Sequence, residues 1–134
     1  MHIAATDEST PVAVLLTPGE THDAAVFEEL LEAVPPECRP DKAIADKGYD
    51  SAEIRDAIAN EGMYPVIPSR SNALEPVSLD KKAYRERNRA ERLVSKLKQF
   101  RRIATRYEKL AITFLALIHI TSALIICREF VNTA

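Results

Sequence analysis

Apolar positions along the chain change their spacing several times, and each change marks an element. Pro11-Val12-Ala13-Val14-Leu15-Leu16 is a short apolar run with β-branched residues, closed by Pro18-Gly19. It predicts a strand followed by a turn. His2-Ile3-Ala4-Ala5-Thr6 is its candidate hairpin partner, connected through Asp7-Glu8-Ser9-Thr10. From about Ala24 to Val34 the period becomes helical. Val26, Phe27, Leu30, Leu31 and Val34 share one face, Thr21 or Asp23 can cap the start beside His22, and Pro35-Pro36 stops the helix. Lys42-Ala43-Ile44-Ala45 is a brief strand entering Asp46-Lys47-Gly48-Tyr49. Asp50 resembles an N-cap, with Glu53 in capping-box position, for a helix that carries Ile54, Ala57 and Ile58 and ends near Gly62. Tyr64 to Pro68 is extended, and its prolines argue for a sheet edge. Ser69 to Asp80 is polar and aperiodic, hence a loop.

From Lys81 to Tyr107 there is no Gly or Pro, and the spacing predicts one helix. Leu93, Leu97, Phe100, Ala104 and Tyr107 fall on one stripe, the expected core side. A further helix is expected from about Glu108 to Phe130. It contains Leu110 to Cys127, 18 residues without a charge. Such a run touches the length of a membrane span and also suits a helix buried in a core. Strands alternating with helices predict an α/β architecture.

With 134 residues the chain is one domain's worth, 46% hydrophobic and 28% charged, which excludes a disordered or fibrous class. Cys38 and Cys127 form neither a disulfide framework nor a zinc knuckle, and the start of the chain lacks the pattern of a signal peptide. A reducing, cytoplasmic setting is therefore expected. The net charge of −2 conceals a segregation. Residues 1–80 carry five basic and sixteen acidic side chains, whereas residues 81–109 carry twelve basic and three acidic ones. A basic segment beside an acidic body suggests a polyanionic partner, and it equally suits a solvated helix face.

Two carboxylates stand out. On a helix from Lys81, Tyr84, Arg87, Glu91 and Lys98 fall within about 60° of one another. Glu91 can simply pair with Arg87 at i,i+4, or it can ligate a hard divalent cation while neighbouring cations bind phosphate oxygens. Asp46 sits at the carboxyl end of a strand, where α/β proteins place ligand sites, with Gly48 available for tight backbone geometry. It can equally be a turn aspartate. Two such carboxylates can share one cation but not two.

Tyr84-x2-Arg87-x3-Glu91-x6-Lys98 resembles the signature of the DDE-type insertion-sequence transposases of bacteria and archaea. So do Leu16-Thr17-Pro18-Gly19 with His22-Asp23, Ala45-Asp46-Lys47-Gly48-Tyr49-Asp50, Val66-Ile67-Pro68 and the run from Leu97 to Tyr107, all in order. The resemblance implies an RNase H-like catalytic domain that cuts and joins DNA with Mg²⁺ or Mn²⁺. It makes Asp46 and Glu91 the second and third acids of the triad and the metal ligands. Tyr84, Arg87 and Lys98 become contacts to transposon-end DNA, joined by Arg101 and Arg102 of the basic run.

The family's first acid lies on a central strand upstream of the Leu-Thr-Pro-Gly segment, and neither Asp7 nor Asp23 matches it. Residues 1–134 are thus expected to form a partial RNase H-like transposase domain: a short mixed sheet lacking its first central strand, with long C-terminal helices. Such a portion is expected to be inactive alone, so whether the chain is by itself an enzyme stays open. It can be completed by an N-terminal transposase product or by a second copy, or act as a DNA-binding remnant. The resemblance also favours a core role for the uncharged C-terminal run and no membrane partner; His119, in an apolar run with Leu115 and Ala123 at i±4, is expected to be a hydrogen-bonded core histidine.

Overall fold

The computed structural model describes residues 1–18 and 23–133. The capping role of Thr21 or His22 lies outside the described residues. Strand β1 (His2–Ala5) pairs antiparallel with β2 (Pro11–Leu15), His2 opposite Leu15 and Ala4 opposite Ala13. Asp7 builds the connecting turn, its Oδ1 accepting from the Ser9 and Thr10 amides at 2.7 and 2.8 Å. Helix α1 (Asp23–Glu32) follows, then a 3₁₀ turn at Pro36–Cys38.

Strand β3 (Lys42–Ile44), helix α2 (Ala52–Asn60) and strand β4 (Tyr64–Val66) form a β-α-β unit with β3 and β4 parallel. The cap of α2 is Ser51, whose Oγ accepts from the Ile54 amide at 3.2 Å, and not Asp50 as the pattern suggested. The helix terminates where Gly62 takes a positive φ of 76°, a conformation that costs glycine nothing. Pro65 is tolerated because, among the described residues, β4 is paired on one side only.

The expected single mixed sheet is instead two separate two-stranded sheets, β1-β2 and β3-β4. The α/β class holds. Helix α1 joins the two halves. Its Phe27 packs with Ile54, Ile58, Met63 and Ile67 of the β-α-β unit, while Leu30 and Val34 pack with Ala13 of β2.

The predicted helix over 81–107 is three pieces: α3 (Lys81–Tyr84), α4 (Arg87–Lys98) and α5 (Arg101–Ala104). Asp80 caps α3 by accepting from the amides of Lys82 and Ala83. Between α4 and α5, Phe100 is extended at φ −81°, ψ 108°. Packing explains this break. On a continuous helix, Ile103 would sit about 100° away from the Leu93–Leu97 stripe, and Ala104 and Tyr107 would take the core side. The break turns Ile103 inward, 5% exposed, and leaves Tyr107 outside at 70%. An isoleucine is thereby buried in exchange for an alanine and a tyrosine.

Arg106 then adopts φ 46° and the chain reverses into α6 (Ala111–Thr133). Phe114, Ile118 and Ile125 of α6 close a core with Leu93, Leu97 and Ile103, against which Ile3, Val14 and Leu16 of the hairpin pack. Buried Ser122 satisfies its hydroxyl by donating to the Ile118 carbonyl at 2.8 Å. Only this face of α6 is covered. Ile112, Ile120, Leu124, Phe130 and Val131 are exposed, and His119 is exposed as well, so it is not a core histidine. By length and composition α6 could cross a bilayer, and 28% of its apolar window is buried against the protein.

Candidate nucleic-acid and metal site

Asp46 lies two residues beyond the end of β3, half-buried and extended at φ −81°, ψ 173°. Its Oδ1 accepts from the Gly48 amide at 2.8 Å and so caps the 3₁₀ turn Lys47–Tyr49. Among the described glycines only Gly62 has a positive φ, so Gly48 contributes its N–H here and no special backbone geometry. The turn-aspartate role is therefore real. It occupies one carboxylate oxygen and leaves the other without a hydrogen bond among the described residues.

A residue that the sequence pattern misjudged holds this turn in place. Asp50 Oδ1 accepts from Arg55 Nη2 at 2.7 Å, and its Oδ2 accepts from the Arg70 amide at 2.7 Å. Arg55 also donates to the Ile67 carbonyl at 2.8 Å, and Arg70 donates to the Gly48 carbonyl at 3.2 Å. The turn after Asp46, the start of α2 and the segment after β4 are thus tied together. The Arg55 guanidinium, aided by the Arg70 amide, holds the Asp50 carboxyl below its ordinary pKa. Arg70 lies in the aperiodic stretch, and no spacing in the sequence announces these partners.

Asp46, Lys47, Gly48, Pro68, Tyr84 and Arg87 line a shallow cleft of about 460 Å³. The Arg87 guanidinium carbon lies 5.6 Å from the Tyr84 ring centroid, a cation–π contact. Arg87 Nη2 also donates to Glu91 Oε1 at 2.6 Å, the i,i+4 pair that the helix spacing allowed. Glu91 is 54% exposed and does not line the cleft. The structure thus brings Asp46, Tyr84 and Arg87 together, and Glu91 is joined to them through Arg87.

Lys98 lies on the same face of α4, about 10 Å further along the axis. Arg101 and Arg102 are exposed on α5 beyond the break, and Arg102 is 3.5 Å from Glu108. The opposite flank of α4 is neutralised by ion pairs. Arg92 meets Glu8 at 2.8 Å and Lys96 meets Glu129 at 2.7 Å, so both carboxyls are held below their ordinary pKa. Lys81, Lys82, Arg85, Lys98 and Arg101 have no acidic partner among the described residues.

Among the described residues, no group of three or more His, Cys, Asp or Glu side chains is placed to hold a metal ion. Asp46 and Glu91 are two hard oxygen donors. Hard oxygen donors of this kind are what a Mg²⁺-like cation takes, and of the two only Asp46 lines the cleft.

Residues 1–126 match the family described as Transposase DDE domain. A relative from Brucella ovis, named as a transposase for insertion sequence element IS6501, is 32% identical over 122 residues, covering 88% of this chain and 89% of that protein. Another from Burkholderia cepacia, named as a transposase for insertion sequence element IS402, is 35% identical over 77 residues, covering 52% of this chain and 36% of that protein. No solved structure matches the chain. Domains of this family use divalent metal ions and imply an RNase H-like fold, with DNA as the partner acted on. With a match over nearly its whole length, the chain belongs to the DDE-domain transposase family.

Proposed function

We propose that the chain serves DNA transposition as a portion of a metal-dependent strand-cleavage and strand-transfer domain, acting in the cytoplasm. The observation that carries this reading is the cleft in which Asp46, Tyr84 and Arg87 meet, with Glu91 held on Arg87. Asp46 offers its free oxygen, and Glu91 offers a carboxylate that can exchange Arg87 for a cation at small cost. Mg²⁺ or Mn²⁺ bound there would neutralise charge on the phosphate and polarise it toward attack. Arg87, once released, can turn to a phosphate oxygen, with Tyr84 stacked beneath its guanidinium. Lys98, Arg101 and Arg102 extend the same positive path along a DNA backbone.

The test is a nicking assay on labelled transposon-end duplexes with Mg²⁺ or Mn²⁺. Two carboxylates are too few for a two-metal centre, so the chain alone is expected to bind DNA and leave it uncut. Cleavage should appear on adding a polypeptide that brings a further carboxylate and should vanish in Asp46→Ala. If no such polypeptide restores cutting, the assignment of Asp46 and Glu91 fails.

A second reading, a non-catalytic DNA-binding protein, is favoured by the unpartnered cations of 81–101. Its signature is salt-dependent, sequence-tolerant binding that is indifferent to Asp46→Ala and to divalent ions.

A further inference from the structure

Helix α6 turns one face to the core and presents the opposite face to solvent along its length. Ile112, Ile120, Leu124 and Val131 are exposed. On a helix they fall with exposed Ala116, Ala123 and Cys127 in a sector of about 140°, directly opposite buried Phe114, Ile118 and Ile125. Arg128 and Glu129 lie outside that sector, so no Asp, Glu, Lys or Arg of α6 enters it. A monomer rarely leaves an apolar face of this size and continuity in water.

We propose that this face packs on the same face of a second copy of the chain, with the two α6 helices antiparallel and crossing the two-fold axis at the level between Thr121 and Ser122. In that register Ile120 lies opposite the second copy's Ala123, Cys127 opposite its Ala116, and Ile112 opposite its Val131. At the centre each larger side chain meets a small one, so the backbones approach closely and the seam fills without voids. A parallel pair would instead set Ile120 against Ile120 and each alanine against its own kind. The stripe complements itself when reversed, as a two-fold interface requires.

The area fits a second copy. The sector is about 30 Å long on a helix of roughly 5–6 Å radius, so it presents about 450 Å². Two copies cover about 900 Å², the weak end of specific interfaces. The dimer therefore forms in the micromolar range. A bilayer fits less well. An interfacial membrane helix presents bulky Trp, Phe or Leu at its centre, where this face has Ala116 and Ala123. Insertion would also draw the Lys96–Glu129 pair and the charged surface of α4 toward hydrocarbon. The inference uses neither DNA nor metal, and its failure and that of the DNA reading are independent.

The test uses the full chain without DNA or divalent ions. Sedimentation velocity should show a reversible monomer–dimer equilibrium. Ala123→Glu places a charge at the centre of the seam and should weaken dimerisation at least tenfold, with the melting temperature of the monomer unchanged because the site is exposed. Disulfide trapping with diamide reads the register. In the antiparallel pair the two copies of Cys127 are offset by about 16 Å along the axis, beyond the roughly 7 Å between Cα atoms that a disulfide tolerates. The unmodified chain should therefore stay uncrosslinked through Cys127. Ala116→Cys should give a covalent dimer bridged from residue 116 to Cys127, located by peptide mass spectrometry, and adding Cys127→Ser should abolish it.

A chain that stays monomeric through the micromolar range, or a dimer indifferent to Ala123→Glu, overturns the proposal. Rapid bridging of Cys127 to Cys127 overturns the antiparallel register. Flotation of the chain with phosphatidylglycerol vesicles, lost in Ala123→Glu, would make a lipid surface the occupant and overturn it as well.

Discussion

Arg87 holds Glu91 at 2.6 Å while stacking on Tyr84 5.6 Å away, so one guanidinium ties the exposed acid of α4 to the cleft that contains Asp46. The pair is exposed and local, worth about 0.3–0.5 kcal/mol. Glu91→Gln should therefore change thermal stability by no more than about 0.5 kcal/mol. The same substitution should weaken Mn²⁺ binding at the cleft, followed by titration calorimetry in the presence of end DNA. A large loss of stability with unchanged Mn²⁺ binding would mean that Glu91 has only a structural role.

The Asp50 carboxylate, gripped by Arg55 and by the Arg70 amide, makes folding pH-dependent in a defined direction. Its folded-state pKa lies below the unfolded value, so its contribution is fully present above the ordinary Asp range near about 3.9. That contribution is lost as pH falls through the lower folded value. Asp50→Asn should cost about 1.5–3 kcal/mol at neutral pH, and should flatten the acid limb of a stability–pH curve from urea melts. An unchanged acid limb would remove Asp50 as its source.

The break at Phe100 predicts an inverted substitution pattern. Ile103→Ala should cost about 2–4 kcal/mol, as for a large aliphatic removed from a core. Tyr107→Ala should stay within about 0.5 kcal/mol, because the ring is exposed. Chemical denaturation of both variants decides between this arrangement and one unbroken helix, for which the order reverses.

Much of this was legible beforehand. The hairpin, the β-α-β unit and the helix ends at Pro35 and Gly62 follow from local signals: β-branched runs, prolines, a glycine that accepts positive φ. The family signature gave Asp46, Tyr84 and Arg87, which the structure brings into one cleft. What the sequence hid was non-local. Nothing in the spacing of Lys81 to Tyr107 says that burying Ile103 outweighs helical continuity. The cap at Ser51 differs from the expected Asp50 because Asp50 is claimed by Arg55 and Arg70, one on the next helix turn and the other twenty residues away. The exposure of His119 likewise depends on which face of α6 meets Leu93 and Leu97, a choice that an uncharged run does not encode.

DNA binding should separate the two flanks of α4. Lys98→Ala and Arg101→Ala should each lower the slope of log K against log salt by about 0.9 on duplex DNA. Arg92→Ala and Lys96→Ala should leave that slope nearly unchanged, because Glu8 and Glu129 already neutralise these cations. Fluorescence titrations across a salt series measure all four.

The lopsided neutralisation of α4 also acts at a distance. With Glu8 and Glu129 quenching one flank, the positive potential of the segment leans toward the side that carries Tyr84, Arg87 and Lys98. A long polyanion drifting in from bulk solvent would be turned by that asymmetric field before it touched the surface, arriving with its phosphates already facing Asp46.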